Sequence, residues 1–267
     1  MASMAQPVEL LNLAVSVARS ASELASRMRA EGVSAVTTKS TATDVVTAAD
    51  RAVERHVREQ LARARPDDAV LGEEYGADRD APVRWILDPI DGTVNYLYDL
   101  PQYAVSLAAE VGGVVVAGVV VNAATGREWT ALRGGGAFRD GRRLAVSPET
   151  DLGQALVGTG FGYAAERRLY QARVLAGLIG HIRDIRRLGA ASIDLCLVAE
   201  GTLDAYYEKG LNPWDHAAGG LVAAEAGALV TGLDGAPPGP DMVVAAPPAL
   251  HARLHDRLSE LDAAGGP

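Results

Sequence analysis

The chain is short of several things, and each shortage excludes something. It has one cysteine, Cys196. No disulfide can close within one chain, and no multi-cysteine metal site can form. Cys196 lies in the apolar stretch 193–199, where a small buried residue is expected rather than a nucleophile. Basic residues are outnumbered, 25 Lys and Arg against 34 Asp and Glu, for a net charge of −9. A nucleic-acid footprint should be basic, so no nucleic-acid partner is expected. An anionic substrate is not excluded, because bound cations can invert a local field. Lysine is nearly absent: Lys39 and Lys209 stand alone among arginines, as coding bias would give, and either is worth following. The first apolar stretch, 8–18, is interrupted by Glu9 and Asn12 and follows no basic segment. Neither a membrane span nor a signal peptide is expected there, and a cytoplasmic location fits. Internal repeats and low-complexity linkers are also missing.

What is present describes a folded protein. At 267 residues, 48% hydrophobic and 22% charged, the chain can bury a sizeable core as one large domain or two smaller ones. Residues 1–6 read as a loose tail. Three- and four-residue apolar spacing predicts a helix over 7–31, stopped by Gly32. A polar connection, 33–43, carries Lys39. A second helix is expected over 44–64, with Asp44 as a candidate cap and Pro66 beyond its end. Strand 69–72 brings Glu73 to its end, and a polar loop, 75–82, leads into a central strand ending at 85–87. Runs 105–111 and 114–122, joined by Gly112-Gly113, predict a hairpin; 127–132 and 137–144 extend it, the latter turning at Asp140-Gly141. A large antiparallel sheet is therefore expected in the first half. After about residue 150, helices at 165–180, 190–200, 214–226 and 248–262 alternate with short strands. That is the pattern of an α/β half with a mixed sheet. The expected division is an N-terminal half, 1–147, and a C-terminal half, 148–267, with the active site between them.

The chemistry centres on Asp88-Pro89-Ile90-Asp91-Gly92-Thr93-Val94-Asn95. Pro89 stiffens the chain between two carboxylates. Two fixed acids followed by a turn with open N–H groups can hold a hard divalent cation beside a phosphate. An Asp-capped strand-ending turn is the plain alternative, but the density of acids argues against it. Asp215 follows Pro213 and Trp214 at a helix start, where the helix dipole favours an acid; alone it reads equally well as a simple cap. Other patterns lead nowhere. Gly158-Thr159-Gly160-Phe161-Gly162 lacks the spacing of a dinucleotide fingerprint. His251 and His255 lack the glutamate of a zinc protease and are expected at the surface. Arg183, Arg186 and Arg187 are expected on a salt-bridging face, and Phe138 and Phe161 in packing.

Together with Gly72-Glu73-Glu74 upstream and Trp214-Asp215-His216-Ala217-Ala218-Gly219 downstream, the Asp88–Asn95 motif resembles the inositol monophosphatase family, from about residue 8 to residue 260. The resemblance implies a layered αβαβα sandwich of the inositol monophosphatase and sugar phosphatase type, a mixed α+β and α/β fold. It implies a homodimer, Mg²⁺ as cofactor, inhibition by Li⁺, and hydrolysis of a small phosphorylated polyol, inositol 1-phosphate first. One cation would sit on Glu73, Asp88 and the Ile90 carbonyl, a second on Asp88, Asp91 and Asp215, and a weaker third near Glu73. Glu73, Thr93 and Asp50 would be catalytic, Asp50 supporting the threonine; a solvated helix face is the alternative for Asp50. Gly92 and Thr93 would bind phosphate. Asp91, Gly189, Ala190, Ala191, Glu208 and Asp215 would contact substrate, with an exposed strand-end charge as the alternative for Glu208. Ala190 departs from the family's usual Ser or Thr, so one hydroxyl is lost. Lys39 matches a family lysine near the site, or is a loop surface charge. Histidinol phosphate, fructose 1,6-bisphosphate and a 3′-phosphoadenosine nucleotide are rival substrates. A binding role in bacterial transcription complexes is the rival from another class.

Overall fold

The computed structural model describes residues 6–33, 36–39 and 45–267. The expected tail, apart from Gln6, and the expected Asp44 cap lie outside the described residues.

The first layer is a pair of helices. Pro7–Glu31 opens on a capping box between Gln6 and Glu9 and buries a stripe of mostly small residues: Leu10, Ala14, Val17, Ala18, Ala21 and Ala25. Beside it lies Ala48–Ala64, which starts later than its apolar spacing suggests. Thr47 is its cap. The Thr47 hydroxyl accepts from the Ala49 and Asp50 N–H groups, while the Asp50 carboxylate accepts from the Thr47 N–H at 2.8 Å. This reciprocal pairing ends the helix at Thr47, and Val45–Val46 forms a short antiparallel pair with Thr37–Thr38.

Both helices pack on an eight-stranded sheet. Its central strand, Val83–Asp91, pairs antiparallel with Ala104–Val111 but parallel with Ala69–Gly72. The strands of the expected antiparallel run, from Ala104–Val111 to Gly136–Arg139, pair antiparallel, and the parallel pairing with Ala69–Gly72 makes the whole sheet mixed. The segment expected as a loop, 75–82, contains a two-residue edge strand, Gly76–Ala77. The hairpin turns form where the sequence places them. Gly112 and Gly113 have φ of 58° and 83°, and Asp140 and Gly141 have φ of 49° and 80°. Consecutive positive φ values are what a two-residue turn between twisted strands demands.

A second, five-stranded sheet runs in the order Asp184–Arg186, Leu156–Thr159, Ala205–Glu208, Val243–Ala246, Leu229–Thr231. The first three are parallel and the rest antiparallel. Helices Ala191–Ala199 and Pro213–Glu225 fill the space between the sheets, and all nine residues of the former are buried. Their backbones come close: a Cβ on Gly219 would lie 2.8 Å from the Ser192 carbonyl oxygen. Helices Ala165–Leu178 and Pro248–Glu260 cover the far face. The layers are thus helix, sheet, helix, sheet, helix, the expected αβαβα order.

Three expectations about side chains need correcting. His251 is buried, not at the surface; its Nε2 lies 2.9 Å from the Thr231 hydroxyl. His255 is half-buried, and its Nε2 accepts from the Asp234 N–H at 3.0 Å. Arg186 pairs with Asp184 and Arg183 bonds Gln154, but Arg187 turns toward the cavity described below. Phe161 also lines that cavity, rather than only packing. Cys196 is fully buried, and burial pushes its thiol well above the ordinary range, as suits an inert core residue.

Candidate active site

Side chains alternate between faces along a strand, so Asp88 and Asp91, three apart, should point opposite ways. They do not, because the strand carries a bulge. Asp88 pairs with Ser106 and Asp91 with Ala104, three steps on one strand against two on the other. The extra residue falls at Pro89-Ile90, where a missing N–H costs the ladder nothing, and it resets the phase. Asp88 locks the bulge by accepting the Ile90 N–H at 3.0 Å. Gly92 then turns the chain with φ of 87° and opens the six-residue helix Thr93–Tyr98. A Cβ at Gly92 would meet the Gln102 carbonyl oxygen at 2.7 Å, so only glycine fits.

Asp88 and Asp91 face a cavity of about 500 Å³. Glu73 reaches it from the end of Ala69–Gly72, and Asp215 from the first turn of Pro213–Glu225. Ile90, Gly92, Thr93, Gly189, Ala191 and Glu208 line it as well. Two expected site residues stand behind its wall. Asp50 is fully buried beneath Thr93, and the Ala190 Cβ packs under Gly92 rather than into the cavity.

Crowding sets the electrostatics. Glu73 and Asp88 are close enough for one carboxyl to hydrogen-bond the other. Burial, then repulsion from Glu73, Asp91 and Asp215, holds the Asp88 carboxyl well above its usual range. Burial and the Asp91 and Glu73 charges do the same to Asp215. Burial lifts Asp91 to about 6 even though Ser192 donates to it. Burial also raises Glu73, opposed by Lys39, whose ammonium donates to Glu73 at 2.8 Å and to Glu74 at 2.5 Å. Each acid turns an oxygen to a protein donor: Asp91 to Ser192, Asp215 to the Asn212 N–H at 2.6 Å. In this arrangement, no three Asp, Glu, His or Cys side chains among the described residues form a ready-made ligand cage.

The Thr93 hydroxyl lies 3.2 Å from Asp50 Oδ1 and 3.1 Å from the Ile90 carbonyl oxygen. Thr47 holds the other Asp50 oxygen through its hydroxyl at 2.6 Å. On the opposite side, Tyr206 donates to Glu208 at 2.5 Å, and burial raises the Glu208 carboxyl to about 7. Lys209, by contrast, spends its ammonium on the Gly265 and Gly266 carbonyls.

Four residues contribute in ways the sequence does not assign, Asn95 among them although it stands within the first motif. Glu54, fully buried on the second helix, accepts the N–H groups of Glu74 and Tyr75 and so shapes the turn bearing Glu73. Its i,i+4 partner Arg58 was the only local signal. Asn95 donates to the Leu188 and Gln102 carbonyls at 2.8 and 2.7 Å, fastening the Gly189 loop to the first motif. Ser192 and Arg187 gave no local sign of their place.

The sequence matches the inositol monophosphatase family profile over residues 6–263. It is 48% identical over 233 residues to the inositol-1-monophosphatase of Mycobacterium leprae, covering 83% of this chain and 80% of that one. It is 41% identical over 234 residues to a Pseudomonas aeruginosa protein named Nus factor SuhB, covering 85% and 86%. The solved structure of Mycobacterium tuberculosis SuhB superposes with a TM-score of 0.84 at 41% identity, covering 98% of this chain and 100% of that one. A bulged strand carrying two acids, a third acid from a neighbouring strand end and a fourth from an interior helix thus accompany similarity along almost the whole sequence, and the chain belongs to the inositol monophosphatase family.

Proposed function

We propose that the protein is a Mg²⁺-dependent phosphomonoesterase that converts inositol 1-phosphate to myo-inositol and phosphate. The observation that carries this reading is the meeting of Glu73, Asp88, Asp91 and Asp215 at one cavity, with Lys39 the cation paired to one of them. Buried negative charge of that density calls for protons or cations. The donors are all oxygen, which suits Mg²⁺ rather than a soft metal. Glu73, Asp88 and the Ile90 carbonyl would hold one Mg²⁺, and Asp88, Asp91 and Asp215 a second. When bound, Mg²⁺ supplies a more acidic water and neutralises charge on phosphoryl oxygens.

The chain's own residues supply the rest. The Thr93 hydroxyl, anchored by Asp50 or the Ile90 carbonyl, keeps lone pairs that can orient the attacking water, with Glu73 beside it. The Gly92 and Thr93 N–H groups serve the phosphate. Glu208 is acceptor-only when ionised and suits a polyol hydroxyl. The Gly189–Ala191 backbone borders the ring; Ala190 adds no hydroxyl. A homodimer, Li⁺ sensitivity and a cytoplasmic location belong to the same reading. No helix among the described residues is long and apolar enough to cross a membrane.

A phosphate-release screen tests the substrate: inositol 1-phosphate, histidinol phosphate, fructose 1,6-bisphosphate and a 3′-phosphoadenosine nucleotide, each with and without Mg²⁺. Fastest release from inositol 1-phosphate supports the proposal; faster release from another overturns the substrate, and none from any overturns the enzyme. The Nus factor name of the Pseudomonas relative favours a second reading, binding to a transcription complex. Co-purification with RNA polymerase, equal for wild type and Asp91→Asn, would support that role as one independent of the acids.

A further inference from the structure

Asp91 is tied to a helix that lies 101 residues further along the chain. Its Oδ2 accepts from the Ser192 N–H at 2.7 Å and from the Ser192 hydroxyl at 2.5 Å. Ser192 is the second residue of Ala191–Ala199, and the residue at the cap position, Ala190, has no side chain with which to cap it. Asp91 therefore takes the role of cap from outside the helix. The helix cannot drift, because all nine of its residues are buried and the Ser192 carbonyl lies against Gly219. Ser192 itself is 0% exposed, so its hydroxyl has no water to turn to.

Two donors from one rigid residue fix a carboxylate's rotation. The Ser192 and Ala191 N–H groups both act on Asp91 from the backbone, and the hydroxyl adds a side-chain point of attachment. Both Ser192 bonds fall on Oδ2, so Ser192 leaves Oδ1 untouched on a residue that lines the cavity.

We propose that Ser192 is a positioning residue for the cation site: its hydroxyl holds Asp91 by Oδ2 so that Oδ1 is presented to the metal. This rests on the reading of Asp91 as a cation ligand. Hydrogen-bond partners behind a ligand often set affinity as strongly as some ligands do.

The test is calorimetric titration of the whole protein with Mg²⁺, for wild type, Ser192→Ala and Ser192→Thr, beside thermal unfolding in chelator. Ser192→Ala keeps the N–H bond, so it should fold, yet bind Mg²⁺ about tenfold more weakly. Ser192→Thr keeps a hydroxyl and should return affinity to near the wild-type value, which a purely structural role would not require. Equal affinity of Ser192→Ala and wild type overturns the proposal, as does a Ser192→Thr variant as weak as Ser192→Ala. Asp91→Asn separates the two levels: if it binds Mg²⁺ as tightly as wild type, Asp91 is no ligand and the role of Ser192 falls with it.

Discussion

The carboxylate of Glu54 fills the space beside Gly72, where a Cβ would lie 2.1 Å from Glu54 Oε1. From there it accepts the Glu74 N–H at 2.8 Å, the Tyr75 N–H at 3.2 Å and the Arg58 side chain at 2.8 Å. A buried acid on one helix thus builds the turn that delivers Glu73. Glu54→Ala would leave the Glu74 and Tyr75 N–H groups and the Arg58 Nε without their acceptor, although Arg58 keeps the Gly76 carbonyl. It should cost about 3–5 kcal/mol of stability. Chemical denaturation measures it, and a loss below about 1 kcal/mol, the scale of one ordinary hydrogen bond, would contradict this role.

Thr93→Val removes the hydroxyl while Asp50 keeps its bonds to Thr47. The fold and Mg²⁺ affinity should survive, and kcat should fall about a hundredfold, the scale of losing a group that handles the attacking water. An unchanged kcat would remove Thr93 from the chemistry.

The acids should make stability pH-dependent in an unusual direction. Folding raises Asp91 from 3.8 to about 6 and Glu208 from 4.5 to about 7. Between about pH 4 and 7 the folded state therefore holds more protons than the unfolded one, so these two groups lower stability as pH rises through that window. Cation binding displaces protons, so Mg²⁺ should raise the unfolding midpoint more at pH 7.5 than at pH 5, on the order of the linkage expected for deprotonating ligands. Thermal scans in chelator and in Mg²⁺ at both pH values check this; an equal Mg²⁺ effect at both would contradict it.

Glu208→Gln keeps the size of the side chain and removes its charge. The KM for inositol 1-phosphate should rise about tenfold, the scale of one charge-assisted hydrogen bond, with Mg²⁺ affinity unchanged. Steady-state kinetics and a Mg²⁺ titration decide it; an unchanged KM would take Glu208 out of substrate recognition.

Much of this was legible because the acids sit in dense local motifs, and the interleaved strands and helices follow simple periodicities. The errors have local causes too. The helix expected from residue 44 starts after Thr47, and Thr47 with Asp50 three residues on is a capping signal that outranks the apolar spacing of Val45 and Ala49. His251 falls on the same stripe as Leu254 and Leu258, so its burial follows from helical spacing. Other features had no local trace. The parallel pairing of Ala69–Gly72 with Val83–Asp91 depends on where the chain crosses over. The Asp91–Ser192 bond depends on a contact across 101 residues, and nothing near Ser192 announces its partner.

The most direct test of the central claim is phosphate release from inositol 1-phosphate as Mg²⁺ is titrated, for wild type and Asp91→Asn. Wild-type turnover should rise with Mg²⁺ and stop in chelator, and a folded Asp91→Asn protein should show none. Turnover indifferent to Mg²⁺, or an Asp91→Asn variant as active as wild type, would contradict it.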